Sequence, residues 1–185
     1  LRPVIDEAVR LSTFSSMVTY RVSAPDNLLC AVIDKSQIGQ VLGNLFMNAI
    51  QAMPNGGTIT IHASNVAVGA VGPTLPATIP RIDDTLPISD GVYVRLDVID
   101  TGMGIPKSNL EKIFDPFFTT KSNGTGLGLA TVYSILQRHK GYVTVDSDVG
   151  RGTRFCLYLP ATLEQCAHES AGKKGLARTQ GKVLI

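Results

Sequence analysis

A stripe of amide side chains runs along one predicted helix, residues 35–53. Exposed helix faces usually carry Glu and Lys, and Asn forms helices poorly because its side chain competes for backbone hydrogen bonds. The neutral oxygens of Asn44 and Asn48, one turn apart, suit a hard cation such as Mg²⁺ or the surroundings of a phosphate. The same stripe also fits a face that only meets water. Its members are Gln37, Gln40, Asn44, Asn48 and Gln51.

A buried-strand pattern at residues 92–99 is followed directly by the sequence DTGMG at residues 100–104. A carboxylate at the end of a strand can accept a hydrogen bond from the exocyclic amine of a purine, and a hydrogen bond to a charged group contributes about 1.5–3 kcal/mol. Gly102 and Gly104 would let the backbone approach such a ligand closely. Taken alone, Asp100 and its glycines are equally typical of an ordinary turn.

A glycine-rich sequence, GTGLGL at residues 124–129, opens a second predicted helix, residues 126–138. The free amides and the positive dipole at a helix N-terminus attract phosphate oxygens, although neither a Walker loop nor a dinucleotide fingerprint is present. The preceding residues 113–121 combine three Phe with Lys121, which is able to reach a terminal phosphate. These Phe side chains suit either core packing or the anchoring of a hinged lid.

Four sequence motifs occur in the order and approximate spacing of the N, first glycine, F and second glycine boxes of sensor histidine kinases. They are residues 44–49, 100–104, 114–118 and 124–129. From about residue 1 to Pro160, the chain therefore resembles the catalytic ATP-binding domain of these kinases, which belongs to the GHKL superfamily (Bergerat fold) shared with DNA gyrase, Hsp90 and MutL.

The resemblance implies a role for each matching residue. Asn48 would coordinate Mg²⁺ with Asn44 assisting near the phosphates, and Asp100 would bind the adenine amine of ATP. Gly102 and Gly104 would let the backbone pass the base. The phosphate side of the lid would consist of Gly124, Thr125, Gly126, Leu127 and Gly128, with Lys121 and Thr125 as supporting polar groups.

Two departures from the family pattern bear on the chemistry. Many members have Lys and then an aromatic residue where this chain has Gln51 and Ala52, so neither a basic phosphate contact nor adenine stacking is assigned there. The ATPase branches have a Glu general base where this chain has Asn44, and a carboxamide cannot take a proton from water. A kinase domain is therefore favoured over a hydrolysing ATPase. A nucleotide-binding scaffold with decayed chemistry would have lost its glycines or Asp100, and all are present.

The phosphate acceptor is expected outside this chain. None of His62, His139 and His168 lies in the His-Glu or His-Asp setting of the family's acceptor, so the histidine-bearing dimerisation helices are expected before Leu1. The resemblance also implies a response regulator or receiver domain as a partner. Because the acceptor histidine is expected outside the chain, we expect no catalytic residue within the chain itself.

Several elements must position these motifs. Residues 58–63, 92–98, 142–146 and 153–159 alternate between apolar and polar side chains, as strands with one buried face do, while residues 35–53 and 126–138 have a helical period. One-sided strands exclude a doubly covered parallel sheet. We predict an α/β fold of the α+β type: a two-layer α/β sandwich whose mixed, mostly antiparallel sheet carries its helices on one face.

For the first helix we expect Asp34 as N-cap, with Gln37 in a capping box, and an end at residues 54–57. Residues 65–90 are predicted to form a long loop.

The composition describes a folded domain. The 185 residues are 44% hydrophobic and 17% charged with a formal net charge of +2, which argues against disorder and against a strongly basic nucleic-acid-binding protein. No apolar run approaches the ~18 residues of a membrane span, so we expect no membrane contact. Three cysteines without C-x-x-C spacing predict a reducing compartment, and hence a cytoplasmic domain or the cytoplasmic part of a membrane-bound sensor.

Two parts of the chain are predicted. Residues 1–160 would form the catalytic ATP-binding domain, and residues 161–185 would form a linker. The apolar residues 183–185 suggest the first strand of a receiver domain in a hybrid kinase. They are also compatible with a chance apolar tail or with an added strand of this domain's own sheet.

Overall fold

The computed structural model describes residues 1–12, 17–72, 76, 78–82, 86–121 and 124–165. Its elements in chain order are α1 (Arg2–Ser12), β1 (Val18–Ser23), β2 (Leu29–Ala31), α2 (Lys35–Ala52), β3 (Gly57–Val68), β4 (Arg81–Ile82), β5 (Gly91–Asp100), α3 (Lys107–Leu110), α4 (Gly128–Arg138), β6 (Tyr142–Asp148) and β7 (Gly152–Gln165).

The seven strands form one sheet in the order β1-β3-β5-β7-β2, with β4 paired to β3 and β6 paired to β7. Strand β3 pairs in parallel with β1 and β4. The remaining pairs, β3–β5, β5–β7, β6–β7 and β2–β7, are antiparallel. The prediction of a mixed, mostly antiparallel sheet is therefore confirmed.

Helices α1, α2 and α4 cover one face of this sheet. Alternate residues of the central strands point into the shared core, for example Ile59 and Ile61 of β3 and Leu96 of β5, and they pack against Leu42 and Leu45 of α2. These side chains are almost fully buried. Each contributes roughly 1.5–3 kcal/mol by leaving water. The predicted two-layer sandwich is confirmed, because a single apolar core lies between the helices and one sheet face.

Helix α2 begins at the predicted residue and ends one residue earlier than predicted, at Ala52. The Asp34 side chain accepts a hydrogen bond from the Gln37 N–H at 3.0 Å, and the helix stops before Met53. The reciprocal half of the predicted capping box is not formed, because the Asp34 N–H donates to Nε2 of His139 at 3.0 Å. The start of α2 is thus joined to the end of α4, which keeps the two helices in a fixed relation.

The region 65–90, predicted as a long loop, contains strand residues at its start and again at Arg81–Ile82. Strand β3 continues to Val68 in register with β5, and the short β4 pairs beside it. Residues Leu86 and Ile88 pack on the outer sheet face against Val68 and Tyr93. The alternating strands were predicted to have one buried face, but this segment also covers part of the other face. These contacts could not be predicted, because the prolines and glycines interrupt the alternation of apolar and polar residues.

Further elements were not predicted from the sequence, and strand β7 is longer than predicted. Helix α1 and strands β1 and β2 were not predicted, although α1 buries Val4 and Ile5 and β1 alternates in burial. Strand β7 continues to Gln165, beyond Pro160, and pairs there with β2. The remainder of the predicted linker, including the proposed receiver strand at residues 183–185, lies outside the described residues.

Two findings bear on the predicted cellular setting. Cys156 is a buried free thiol, whereas Cys30 is disulfide-bonded, which the expectation of reduced cysteines did not include. Among the described residues, no helix has both the length and the apolar character that crossing a membrane requires.

Candidate functional site

Asp100 ends the central strand β5 between two neighbouring strands, opposite Ile59 of β3 and Thr153 of β7. Its side chain is almost buried, with 6% exposed. Oδ1 accepts hydrogen bonds from the N–H of Gly102 at 2.8 Å and of Thr153 at 3.3 Å. Within the described part of the chain, no Lys or Arg forms an ion pair with it. Burial raises the pKa of Asp100, and the two backbone hydrogen bonds only partly oppose that rise.

The two glycines after Asp100 allow the loop to pack tightly against its neighbours. A Cβ at Gly102 would lie 2.7 Å from the Ala52 Cβ, and one at Gly104, whose φ is +73°, would overlap the Asp148 carbonyl. The Met103 N–H donates to the Ala52 carbonyl at 3.1 Å. The loop is therefore held between the end of α2 and the β6–β7 turn, and larger residues would displace it.

The asparagines of α2 face the start of α4. A Cβ at Gly128, the first residue of α4, would lie 3.8 Å from Oδ1 of Asn44 and 4.0 Å from Nδ2 of Asn48. The N-cap residue Leu127 makes no side-chain capping hydrogen bond, so it leaves the amides of the first helical turn uncapped. The structure thus brings together the predicted metal-binding residues and the glycine-rich entry to α4.

Lys121 also reaches the asparagine face of α2. Its Nζ donates to Oδ1 of Asn48 at 3.1 Å and to Oε1 of Gln51 at 2.5 Å. Partial desolvation by the neighbouring atoms lowers the pKa of Lys121. From the sequence, Gln51 was named in the amide stripe and as a departure from the family pattern, but not as a partner of Lys121. Its position in the amide stripe, one turn after Asn48, was the available signal for this contact.

The glycine-rich segment contacts the Phe segment through its backbone. The Phe117 N–H donates to the Gly126 carbonyl at 2.9 Å, and both residues have positive φ, +67° and +69°. A Cβ at Gly124 would overlap the Thr119 side chain, and Thr125 is exposed. Phe114 and Phe118 pack against the core, whereas Phe117 is 74% exposed. The Phe residues therefore divide between core packing and exposure.

The histidines take different positions. His62 is exposed on the outer face of β3, as predicted from its alternation. His139 follows α4, with Nε2 accepting from Asp34 and Nδ1 lying 2.8 Å from the Ile135 carbonyl. Because Nε2 accepts, Nδ1 carries the proton and donates to Ile135. Both ring nitrogens of His139 are thus engaged in holding α2 to α4. His168 lies outside the described residues.

The residues at this site fit Mg²⁺ better as supporting ligands than as a complete cage. No group of three or more His, Cys, Asp or Glu side chains that suits a metal is found in the described ranges. Asn44 and Asn48 offer neutral oxygens, which suit Mg²⁺ when phosphates supply the remaining charge. This donor set agrees with a metal that arrives bound to a nucleotide.

The chain is similar in sequence to known proteins. A family model described as histidine kinase-, DNA gyrase B-, and HSP90-like ATPase matches residues 33–163. The chain is 43% identical over 134 residues to sensor kinase CckA of Brucella abortus, covering 71% of this chain and 13% of that protein. It is 36% identical over 149 residues to sensor histidine kinase ZraS of Escherichia coli strain K12, covering 80% of this chain and 27% of that protein.

Solved structures have the same fold. The nucleotide-free catalytic domain of histidine kinase ThkA aligns with a TM-score of 0.61 at 29% identity, covering 88% of this chain and 93% of that one. The mycobacterial sensor histidine kinase MprB aligns with a TM-score of 0.65 at 24% identity, covering 86% and 93%, and supports the fold alone.

The chain spans 13% and 27% of the lengths of the two kinases compared by sequence. The family model, in contrast, covers most of the chain, from residue 33 to residue 163. The chain belongs to the family of histidine kinase-, DNA gyrase B-, and HSP90-like ATPases.

Proposed function

We propose that residues 1–160 form the catalytic ATP-binding domain of a two-component sensor histidine kinase. The domain presents the γ-phosphate of Mg-ATP to a histidine on a separate dimerisation domain of the same protein. A response regulator or receiver domain then takes the phosphoryl group. This places the domain on the cytoplasmic side, where ATP is available. The observation that carries the proposal is the nearly buried Asp100, whose hydrogen-bond partners in the described part of the chain are two backbone amides.

Each residue of the site has a role in this function. Asp100 accepts a hydrogen bond from the adenine amine, and the N–H groups of Gly102 and Thr153 keep its carboxylate in a fixed orientation. Gly104 allows the loop to lie close to the β6–β7 turn. The backbone amides of residues 124–128, including those of Thr125 and Leu127, donate hydrogen bonds to phosphate oxygens at the start of α4.

Asn48 would hold Mg²⁺, with Asn44 beside it, and the metal would neutralise charge on the phosphates. The chain's own polar groups then orient the terminal phosphate for an acceptor supplied by the other domain. Asn44 stands where a hydrolytic base would be needed, and its amide cannot accept a proton from water. The site therefore supports phosphoryl transfer to a histidine in preference to hydrolysis.

Calorimetric titration with Mg-ATP and Mg-GTP tests the adenine assignment. Guanine has a carbonyl in place of the adenine amine, so two acceptors would face each other at Asp100. We expect saturable ATP binding and GTP binding at least about ten-fold weaker. Equal affinity for the two nucleotides would contradict the role of Asp100, and a complete lack of ATP binding would contradict the proposed function.

Labelled ATP distinguishes a kinase from a hydrolysing ATPase. The chain alone is expected to release negligible phosphate and to remain unlabelled. When the histidine-bearing dimerisation domain is added, that domain should acquire label that survives base and is lost in acid. Rapid phosphate release by the chain alone would instead support the ATPase alternative, and label on the chain itself would identify His62, His139 or His168 as an acceptor.

A further inference from the structure

The Lys121 ammonium is held without being neutralised. Its two hydrogen-bond acceptors, Oδ1 of Asn48 and Oε1 of Gln51, are both neutral amide oxygens. None of the ion pairs among the described residues includes Lys121. A lysine has three N–H donors, so this geometry uses two and leaves one. The ammonium therefore keeps its charge and one donor for an anion.

The position of this ammonium matches the place proposed for the phosphates. Asn48 is one turn from Asn44, and both asparagines lie beside Gly128 at the start of α4. Lys121 thus places its charge on the same patch of α2 that faces the α4 N-terminus. A positive group and uncapped helix amides that both lie beside Asn48 favour an anion near them.

We propose that Gln51 is a positioning residue for phosphate recognition, holding Lys121 where its ammonium contacts the terminal phosphate of a nucleoside triphosphate. The inference rests on the proposed function, because it takes Asn48 as the metal ligand. If the Asn48 oxygen held the metal, Gln51 would remain as the acceptor that holds Lys121. The amide of Gln51 is suited to this task, because a carboxylate at the same position would neutralise the lysine before it met a phosphate.

A plain surface hydrogen bond is the alternative explanation. The Lys121 and Gln51 side chains are exposed, and exposed polar contacts often contribute little. The two explanations differ in one property. A surface contact has no preference among nucleotides, whereas a positioned ammonium raises the affinity for ATP and leaves that for ADP unchanged.

Calorimetry with Mg-ATP and Mg-ADP therefore tests the inference. We expect Gln51→Leu to lower the affinity for Mg-ATP about three- to ten-fold and to leave Mg-ADP binding unchanged. Gln137→Leu, the same substitution on the exposed surface of α4, is the matched control and should leave both affinities unchanged. Thermal unfolding of each variant confirms that the fold is retained.

Two further variants separate position from charge. Gln51→Glu keeps an acceptor for Lys121 but neutralises it, so we expect it to lose the ATP preference as Gln51→Leu does. The exchange of both residues, Gln51→Lys with Lys121→Gln, keeps the pair and its charge and should restore part of the preference.

An unchanged ratio of ATP to ADP affinity in Gln51→Leu overturns the role of Gln51 and leaves the proposed function intact. Full ATP preference in Gln51→Glu also overturns it, because a contact that only supports structure survives that change. If the unmodified chain binds ATP and ADP but not GTP, the nucleotide-binding part of the proposed function holds whatever these variants show. If it binds no nucleotide, both proposals fail.

Discussion

Two carboxylates on β5 have nearly the same burial and opposite surroundings. Asp97 is 2% exposed and Asp100 is 6% exposed, but they point to opposite faces of the sheet. Asp97 lies between Arg95 at 3.0 Å and Arg154 at 3.1 Å. Asp100 has only two backbone amides as partners in the described structure. Burial alone therefore does not identify a functional acid, whereas the kind of partner does.

Their pKa values follow from these partners. Burial acts to raise the pKa of Asp97, but hydrogen bonds from Cys156, Arg154 and Arg95 outweigh it and place that pKa below its ordinary value. At Asp100 burial prevails over its two backbone hydrogen bonds, so its pKa is raised. The charge of Asp97 is paired with two arginines of the fold, whereas Asp100 has no such pair in the described structure and can accept a hydrogen bond from a ligand.

The largest expected effect is on stability, from Asp97→Ala. This change leaves Arg95 and Arg154 without their shared acceptor, and breaking a buried ion pair costs about 3–5 kcal/mol. Since the Arg154 side chain is 43% exposed and can reach water, we expect about 3 kcal/mol, the lower end. Urea unfolding measures the loss.

The exposed ion pair of Arg2 and Asp6 provides the control for this change. Asp6→Ala should alter stability by less than about 1 kcal/mol. Equal losses in the two variants would show that the Asp97 cluster is not a structural ion pair of the kind described.

Asp100→Asn should have the reverse profile. Replacing the charged acceptor with an amide should weaken Mg-ATP binding by about 1.5–3 kcal/mol, roughly ten-fold to more than a hundred-fold, without a comparable loss of stability. Calorimetry and urea unfolding on the same preparations measure both quantities. A variant that unfolds readily but still binds ATP normally would contradict the distinction between the two acids.

The sequence made Asp100 a candidate site residue, but it gave no sign of the ion pairs of Asp97. The strand that ends at Asp100 is followed by two glycines, which indicates that the backbone there approaches a ligand or a neighbour closely. The alternation of apolar and polar residues along 92–98 indicated only that Asp97 lies on the polar face. Its partner Arg154 is 57 residues away, and only the register of β5 with β7 brings them together. The Lys121 contact with Gln51 spans 70 residues and depends on how the segment before α4 folds back.

The fold shows the same division. Long amphipathic segments such as α2 were predicted with nearly correct limits, because their periodicity repeats over several turns. The short strands β2 and β4 have three and two residues, too few to establish a period. Their pairing is imposed by β7 and β3, which is tertiary information.

Gly102→Ala should move the amide that holds Asp100. The new Cβ would lie 2.7 Å from Ala52 Cβ and 2.9 Å from Oδ1 of Asp100. We expect a loss of about 1–2 kcal/mol in stability from overpacking, together with weaker ATP binding. Gly43→Ala is the matched control, because nothing lies within 4 Å of its Cβ. If both variants bind ATP like the unmodified chain, the orientation of Asp100 does not depend on Gly102.

The smallest expected effect is the dependence of stability on pH, and the two acids should differ in sign. The folded pKa of Asp97 lies below the ordinary 3.8, so its contribution is complete above pH 3.8 and is lost as the pH falls through the folded pKa. The folded pKa of Asp100 lies above 3.8, so the folded state binds its proton more tightly than the unfolded chain does. Its contribution therefore declines as the pH rises from 3.8 through the folded value.

Urea midpoints of the unmodified chain, Asp97→Asn and Asp100→Asn across about pH 2–7 measure these contributions as differences, in which the other carboxyl groups cancel. The stability advantage of the unmodified chain over Asp97→Asn should shrink as the pH falls below 3.8. Relative to the unmodified chain, Asp100→Asn should gain stability as the pH rises above 3.8. Saturating Mg-ATP should reduce the second difference, because the ligand supplies a donor to the ionised Asp100 and binds the variant poorly. Difference curves that run in the same direction for both variants would remove the physical basis for treating one acid as structural and the other as ligand-binding.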